Sequence, residues 1–500
     1  MPGTASTAPG APGAPGAGAS TGTPYPRRWL ALVVIALAQL MVVLDATIVN
    51  IALPQAQADL GINDANRQWV VTAYTLAFGG LLLLGGRIAD YWGRKRAFIV
   101  GMIGFALASA LGGLATTGEM LFAARALQGV FGALLAPAAL ALLTVLFTET
   151  TERAKAFAVY GGIAGGGSAV GLLLGGVLTE YANWRWCLLV NIPVAAVAIA
   201  LALPLVPESR AHGNTRYDVP GAVVVTAGLV SLVYGFTKAA EDGWEAAATL
   251  GFIAAGVVLL AVFVVIELRS NHPLLPLRII LDRNRGAAYL TSTLIGAGLF
   301  GAFLFLTFYF QVVLQYTPLE AGLASLPVTA GVLIAAAGAS QLLPRLGAKP
   351  LMVGGAALAA VGMLLLTQID VDTSFLTLLL PAQVILGLGL GFTFVPLSSL
   401  ALFGVPEHDA GAASATLNAT QQIGGSLGTA LLNTMYTSAV TAYLVGRAPS
   451  PATQVKALVH GYSVAFAWGA ALIVLAGLIT LFLIKVRKGD IRTGGPVHMG

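Results

Sequence analysis

Long apolar runs separated by short polar breaks dominate the chain, in place of the 3.6- or two-residue alternation of elements half exposed to water. Runs fall near 29–53, 69–87, 97–116, 120–147, 154–178, 186–206, 218–238, 248–268, 286–313, 321–343, 350–368, 375–402, 411–438 and 461–485. Each holds about 20 residues or more, the length of helix that crosses the hydrocarbon core of a bilayer. A helix satisfies its own backbone hydrogen bonds, which lipid cannot do for it. The pattern therefore predicts an all-α polytopic membrane protein with fourteen spans. Asp218-Val219-Pro220-Gly221 reads as a helix start, with Asp as N-cap and Pro inside the first turn.

Composition agrees. Hydrophobic residues make up 57% of the chain and charged residues 9%, against about 25% charged in soluble domains. Soluble globular, disordered and coiled-coil classes are excluded. The uncharged start, rich in Pro, Gly, Ala, Ser and Thr, reads as a disordered tail rather than a secretory signal, since the apolar run that follows is too long.

The basic residues set an orientation. With the N-terminus in the cytoplasm and strict alternation, 20 of the 26 Lys and Arg fall on the inner side. Arg67, Arg185, Lys238, Arg447 and Lys456 fall outside, and Arg125 lies within a span. This bias predicts both termini inside and explains the net charge of +5 as membrane anchoring, with no nucleic-acid partner. The single cysteine, Cys187, excludes an internal disulfide, and the histidines show no ligand spacing, so no metal site is expected.

Gly86 to Lys95, between spans 2 and 3, has a worn echo in Ser340 to Lys349, between spans 10 and 11. The echo predicts an internal repeat. The expected organisation is a tail at 1–28, a six-helix bundle at 29–206, a linker region with two additional helices at 207–285, a second bundle at 286–485, and a tail at 486–500.

An ionisable group in the bilayer costs about 2.5–3.5 kcal/mol on insertion scales. Two lie well inside the expected spans, Asp45 in span 1 and Arg125 in span 4. At the helical rise they sit ~12 Å and ~9 Å below the same face, so they are predicted to pair. Burial favours the neutral acid and a guanidinium favours the carboxylate, which is the balance a proton switch needs. Arg125 keeps its own proton and would tune Asp45. Polar candidates for a substrate cavity are Gln39, Asn50, Tyr74, Gln128, Gln311, Gln383 and Asn418. Candidates for conformational gating are Gly86, Asp90, Gly93 and Arg94 in the loop, and the span 5 stripe of Gly167, Gly171, Gly175 and Gly176. Such a stripe allows close helix contact and sliding.

Hydrolytic motifs fail on context. Gly424-Gly425-Ser426-Leu427-Gly428 spells a nucleophile elbow inside a membrane span, and there is no P-loop. The expectation is a non-enzymatic protein without a cofactor, driven by an ion gradient.

These residues resemble the drug:proton antiporters of the major facilitator superfamily, in their fourteen-span branch. Leu44 to Pro54 resembles the span 1 signature, Gly86 to Arg96 the loop motif, and Arg125-x-x-Gln128-Gly129 the span 4 motif. Trp184-Arg185-Trp186 with Asn191 and Pro193 is similar to the start of span 6. Leu172 stands where the antiporter motif usually has Pro, and Gln421 where relatives often carry Arg. The resemblance implies a major facilitator fold and proton-driven efflux of lipophilic drugs or antibiotics across the cell membrane by alternating access. It further implies a role for Arg125 in proton coupling and for the loop in locking conformational states. With Asp45 the one acid well inside a span, neutral or singly cationic cargo is expected; the protein is expected to be a monomer. The alternatives are a proton-coupled importer of a small nutrient, or a membrane-embedded sensor or enzyme.

Overall fold

The computed structural model describes residues 25–486 apart from 148, 211–217, 271–272, 274–276 and 406–409. Most of each expected tail lies outside the described residues. Fourteen long helices carry the described chain, with no strand among its residues. They are α1 (Arg28–Leu60), α2 (Trp69–Trp92), α3 (Arg94–Gly113), α4 (Gly118–Leu146), α5 (Thr150–Tyr181), α6 (Trp186–Leu205) and α7 (Val219–Asp242). The remainder are α8 (Ala247–Arg269), α9 (Arg283–Val313), α10 (Pro318–Leu346), α11 (Ala348–Leu366), α12 (Phe375–Ala401), α13 (Ala410–Leu444) and α14 (Pro451–Leu483). Twelve of them are long and apolar enough to cross a membrane by length and composition. The other two, α5 and α13, are richer in Gly, Ser, Thr, Asn and Gln.

Helix starts follow local chemistry. The Asp218 carboxylate accepts from the Gly221 amide at 2.8 Å, as its position before Pro220 predicts. Thr317 and Glu320 form a reciprocal capping box at the head of α10. Two boundaries differ from the apolar runs. Helix α1 continues two turns past residue 53, through Pro54, because its polar end has partners. Gln55 Oε1 accepts from the Trp184 amide at 2.9 Å, and Asp59 accepts from the Trp184 indole at 3.0 Å. Helix α14 begins at Pro451, capped by Ser450, ten residues ahead of its apolar run.

The packing pattern occurs twice. Helix α1 packs on α4, α5 and α6, α2 on α4, and α3 on α4 and α6. Eight helices later, α9 packs on α12, α13 and α14, α10 on α12, and α11 on α12 and α14. The two groups meet along two seams, α2 against α13 and α5 against α10, which exchange under the same eight-helix shift. Helices α7 and α8 pair, and α7 lies against both α2 and α13 at one seam.

The seams differ in chemistry. Between α5 and α10, Gly176 abuts the Leu319 backbone and Gly322 abuts the Leu172 carbonyl. Between α2 and α13, Thr75 and Ser426 share a 2.6 Å hydrogen bond, and Asn433 donates to Gln68 Oε1 at 2.6 Å.

Candidate functional site

Asp45 lies midway along α1 and is fully buried. Arg125, two turns into α4, is 1% exposed, and the two form an ion pair at 2.6 Å. The close approach has a local cause: Gly129, one turn beyond Arg125, lies against the Tyr74 carbonyl, where any Cβ would collide. With α4 held against α2, Arg125 Nε donates to the Val70 carbonyl at 2.9 Å, and its guanidinium stacks 4.6 Å from the centre of the Tyr74 ring.

The carboxylate is satisfied by three donors from two helices, α4 and α6. Arg125 Nη1 donates to Oδ2, while Gln128 Nε2 at 2.8 Å and Asn191 Nδ2 at 2.9 Å donate to Oδ1. Arg125 Nη1 also donates to Gln128 Oε1 at 2.8 Å. Gln128 and Asn191 both donate to Ser109 Oγ at 2.9 Å, and the Ser109 hydroxyl donates to the Leu188 carbonyl at 2.8 Å. Five polar side chains from α1, α3, α4 and α6 thus close on one another within the first group. A buried pair of this kind persists because its remaining hydrogen-bonding capacity is met. Protonation of Asp45 would remove the charge that holds Arg125.

The sequence candidates divide around this network. Gln128 and Tyr74 belong to it. Gln39 accepts from the Tyr160 hydroxyl at 2.6 Å, between α1 and α5. Asn50 and Asn418 donate to carbonyls one turn back on their own helices. Gln311 joins the two groups by donating to the Ile51 carbonyl at 2.9 Å. Gln383 is fully buried on α12 with both amide atoms unpartnered, and the Tyr74 hydroxyl is likewise unpartnered; most buried polar groups are hydrogen-bonded.

In the loop, Asp90 takes two hydrogen bonds from Arg94, at 2.8 and 3.0 Å. Gly93 turns the chain at φ +126°, a conformation suited to glycine, and Glu208 at the end of α6 lies against it. Gly86 packs ordinarily on Pro137. Of the stripe, Gly167, Gly171 and Gly175 hold α5 against α1 inside one group, and Gly176 alone faces α10. On α5 the close backbone contact with α10 is therefore made by Gly176 and Leu172.

Sequence reading missed three residues. Asn191 and Ser109 complete the Asp45 network, and Arg67, read as a loop charge, is 2% exposed between the groups. Arg67 had one signal: a cation on the side poor in them.

A buried charge pair inside doubled six-helix packing, among helices of membrane-spanning length, defines a polytopic membrane transport protein. Residues 35–429 match the model of the Major Facilitator Superfamily, and the chain belongs to that family. It is accordingly a multi-pass protein of the cell membrane and a transporter rather than an enzyme. The chain is 52% identical to the puromycin resistance protein of Streptomyces alboniger, covering 93% of both chains. It is 41% identical to the cephamycin export protein of Amycolatopsis lactamdurans, covering 81% of this chain and 84% of that one. With the multidrug efflux pump LfrA of Mycolicibacterium smegmatis the figures are 34%, 84% and 83%. Among solved structures, a bacterial homologue of the human lysosomal transporter Spinster, inward-facing and unoccupied, shares the fold. Its TM-score is 0.65 at 15% identity, covering 94% of this chain and 99% of that one.

Proposed function

We propose that this transporter exports small lipophilic antibiotics or drugs in exchange for protons, by alternating access. Relatives named for puromycin resistance, cephamycin export and multidrug efflux support the direction and the cargo class. The observation that carries the mechanism is the sealed Asp45–Arg125 pair, a charge-neutral switch that one proton unbalances. Asp45 takes a proton from outside and releases it to the cytoplasm, leaving a carboxylate for the next cycle. The gradient is the energy source and no cofactor enters.

In this reading all fourteen helices span the membrane, with both termini cytoplasmic. Helices α1–α6 and α9–α14 are two rocking halves, α7 and α8 are inserted between them, and the protein works as a monomer. Hydrogen bonds between the halves gather at the end opposite the basic loops: Gln311 to Ile51, Asn433 to Asp64, and the Leu319 amide to Glu180. The basic-end pair Arg28–Glu152 lies within one half. These bonds support a state closed on the outer side. One acid in the site favours neutral or singly cationic cargo, with Gln383 as a polar anchor.

The test is pH-gradient-driven efflux from everted vesicles, beside a susceptibility panel with and without the gene. Asp45→Asn abolishes the gradient-driven component at unchanged expression. Undiminished pH-driven transport in that variant removes Asp45 from the mechanism, and export confined to divalent compounds reverses the cargo assignment.

A further inference from the structure

We infer that Arg67 is the latch of the outer face, and that the inserted helix α7 braces it. Arg67 lies in the turn between α1 and α2, yet its side chain is buried. The guanidinium carbon stands 4.1 Å from the centre of the Phe308 ring of α9 and 4.5 Å from that of Tyr436 of α13. Tyr436 stacks in turn on Tyr462 of α14 at 4.9 Å and on Phe305 at 5.6 Å. A cation from one half is thus inserted into an aromatic cage built wholly by the other. A planar guanidinium suits two ring faces as an ammonium does not.

The hydrogen bonds at this point are shared through one residue. Asn433 Oδ1 accepts from Arg67 Nε at 3.3 Å, while Nδ2 donates to the Asp64 carbonyl at 2.8 Å and to Gln68 Oε1 at 2.6 Å. Gln68 Nε2 then donates to Thr237 Oγ1 of α7 at 3.1 Å. Beside this chain, Thr434 donates to the Phe236 carbonyl of α7 at 2.7 Å, and Asn66 donates to Glu241 at 2.9 Å. Helix α7 therefore grips both sides of the α2–α13 seam at the point where Arg67 crosses it. The Arg67 bonds themselves are long, 3.3 Å to Asn433 and 3.5 Å to Asp64. The rings and the brace, more than those two bonds, hold the latch shut. Outward opening has to draw Arg67 out of the cage, so Arg67 is a positioning residue for the outward step and touches no cargo. The assignment of this face as the outer one rests on the proposed orientation.

The test reads conformation directly. Spin labels at cysteines replacing the exposed Thr116 and Asp372, one on the same-face loop of each half, report the separation in a Cys187→Ser background. Arg67→Ala raises the ratio of long to short separations at least tenfold without cargo. Arg67→Lys gives an intermediate ratio, and Thr237→Val a smaller shift in the same direction. A distribution in Arg67→Ala that superimposes on the parent overturns the latch. An unmoved distribution in Thr237→Val overturns the brace. If Arg67→Ala does not fold, Tyr436→Leu removes one face of the cage and must shift the separations likewise; an unchanged distribution there also overturns the latch. These distances need no cargo, so failure of the export reading in the susceptibility panel leaves this result standing, and the reverse holds equally.

Discussion

The Asp45→Asn substitution tests the core of the site, because its cost can be worked out from the donors around it. Three donors converge on the carboxylate: Arg125 Nη1, Gln128 Nε2 and Asn191 Nδ2. Asparagine offers one carbonyl oxygen and one amino group. If its oxygen takes the place of Oδ1, the amino group faces the guanidinium. If it is turned the other way, the amino group faces both amides. Either way a donor meets a donor and Arg125 is left as a buried, unpaired charge. Removing one partner of such a pair costs about 3–5 kcal/mol. Arg125→Gln costs less, because an abandoned carboxylate can neutralise itself by taking a proton and a guanidinium cannot. The double variant removes both charges and recovers at least half of the Asp45→Asn loss. The single thiol supplies the assay: Cys187 is fully buried beside Thr179, so its reaction with a fluorogenic maleimide on heating marks unfolding. If the losses of the two single variants simply add in the double variant, the two residues are not coupled and the reasoning fails.

Other outcomes follow from the same geometry. Arg125→Lys keeps the charge but gives up the Val70 carbonyl and the stack on Tyr74, so pH-driven efflux falls at least tenfold in everted vesicles. Gly129→Ala places a methyl group against the Tyr74 carbonyl and costs about 1–3 kcal/mol by the same thiol assay. Gln383→Leu relieves two unpartnered amide atoms, so it stabilises the protein by about 1–3 kcal/mol while raising the KM for cargo. Lower stability with unchanged transport in that last variant would mean that Gln383 has a structural partner.

The helices were legible because the bilayer imposes a length on every apolar run. Where chain and lipid part company, that signal ends. Residues 54–60 of α1 and 451–460 of α14 are helical through tertiary bonds and a serine cap, neither of which shows in hydropathy. The Asp45–Arg125 pair was legible from depth alone, since a fixed rise per residue converts chain distance from a helix end into position across the membrane. Its other ligands were not. Asn191 and Ser109 are ordinary polar residues until the folding of α6 over α3 points both at one oxygen cluster. Arg67 was hidden for a related reason: hydropathy places loop charges in water, and only the joining of the two halves buries this one.

The unlike seams give the opening motion a direction. Along α5 and α10, backbones touch through Gly176 and Gly322, and the hydrogen bond from the Leu319 amide to Glu180 crosses at the outer end. Along α2 and α13, Arg67, Asn433 and the Thr75–Ser426 pair stand at successive levels from the loop inward. Water reaching the first can replace its lost partners before the next one breaks. In the proposed cycle the first seam is the bearing and the second a zip drawn from the surface downward, with α7 holding its outer end.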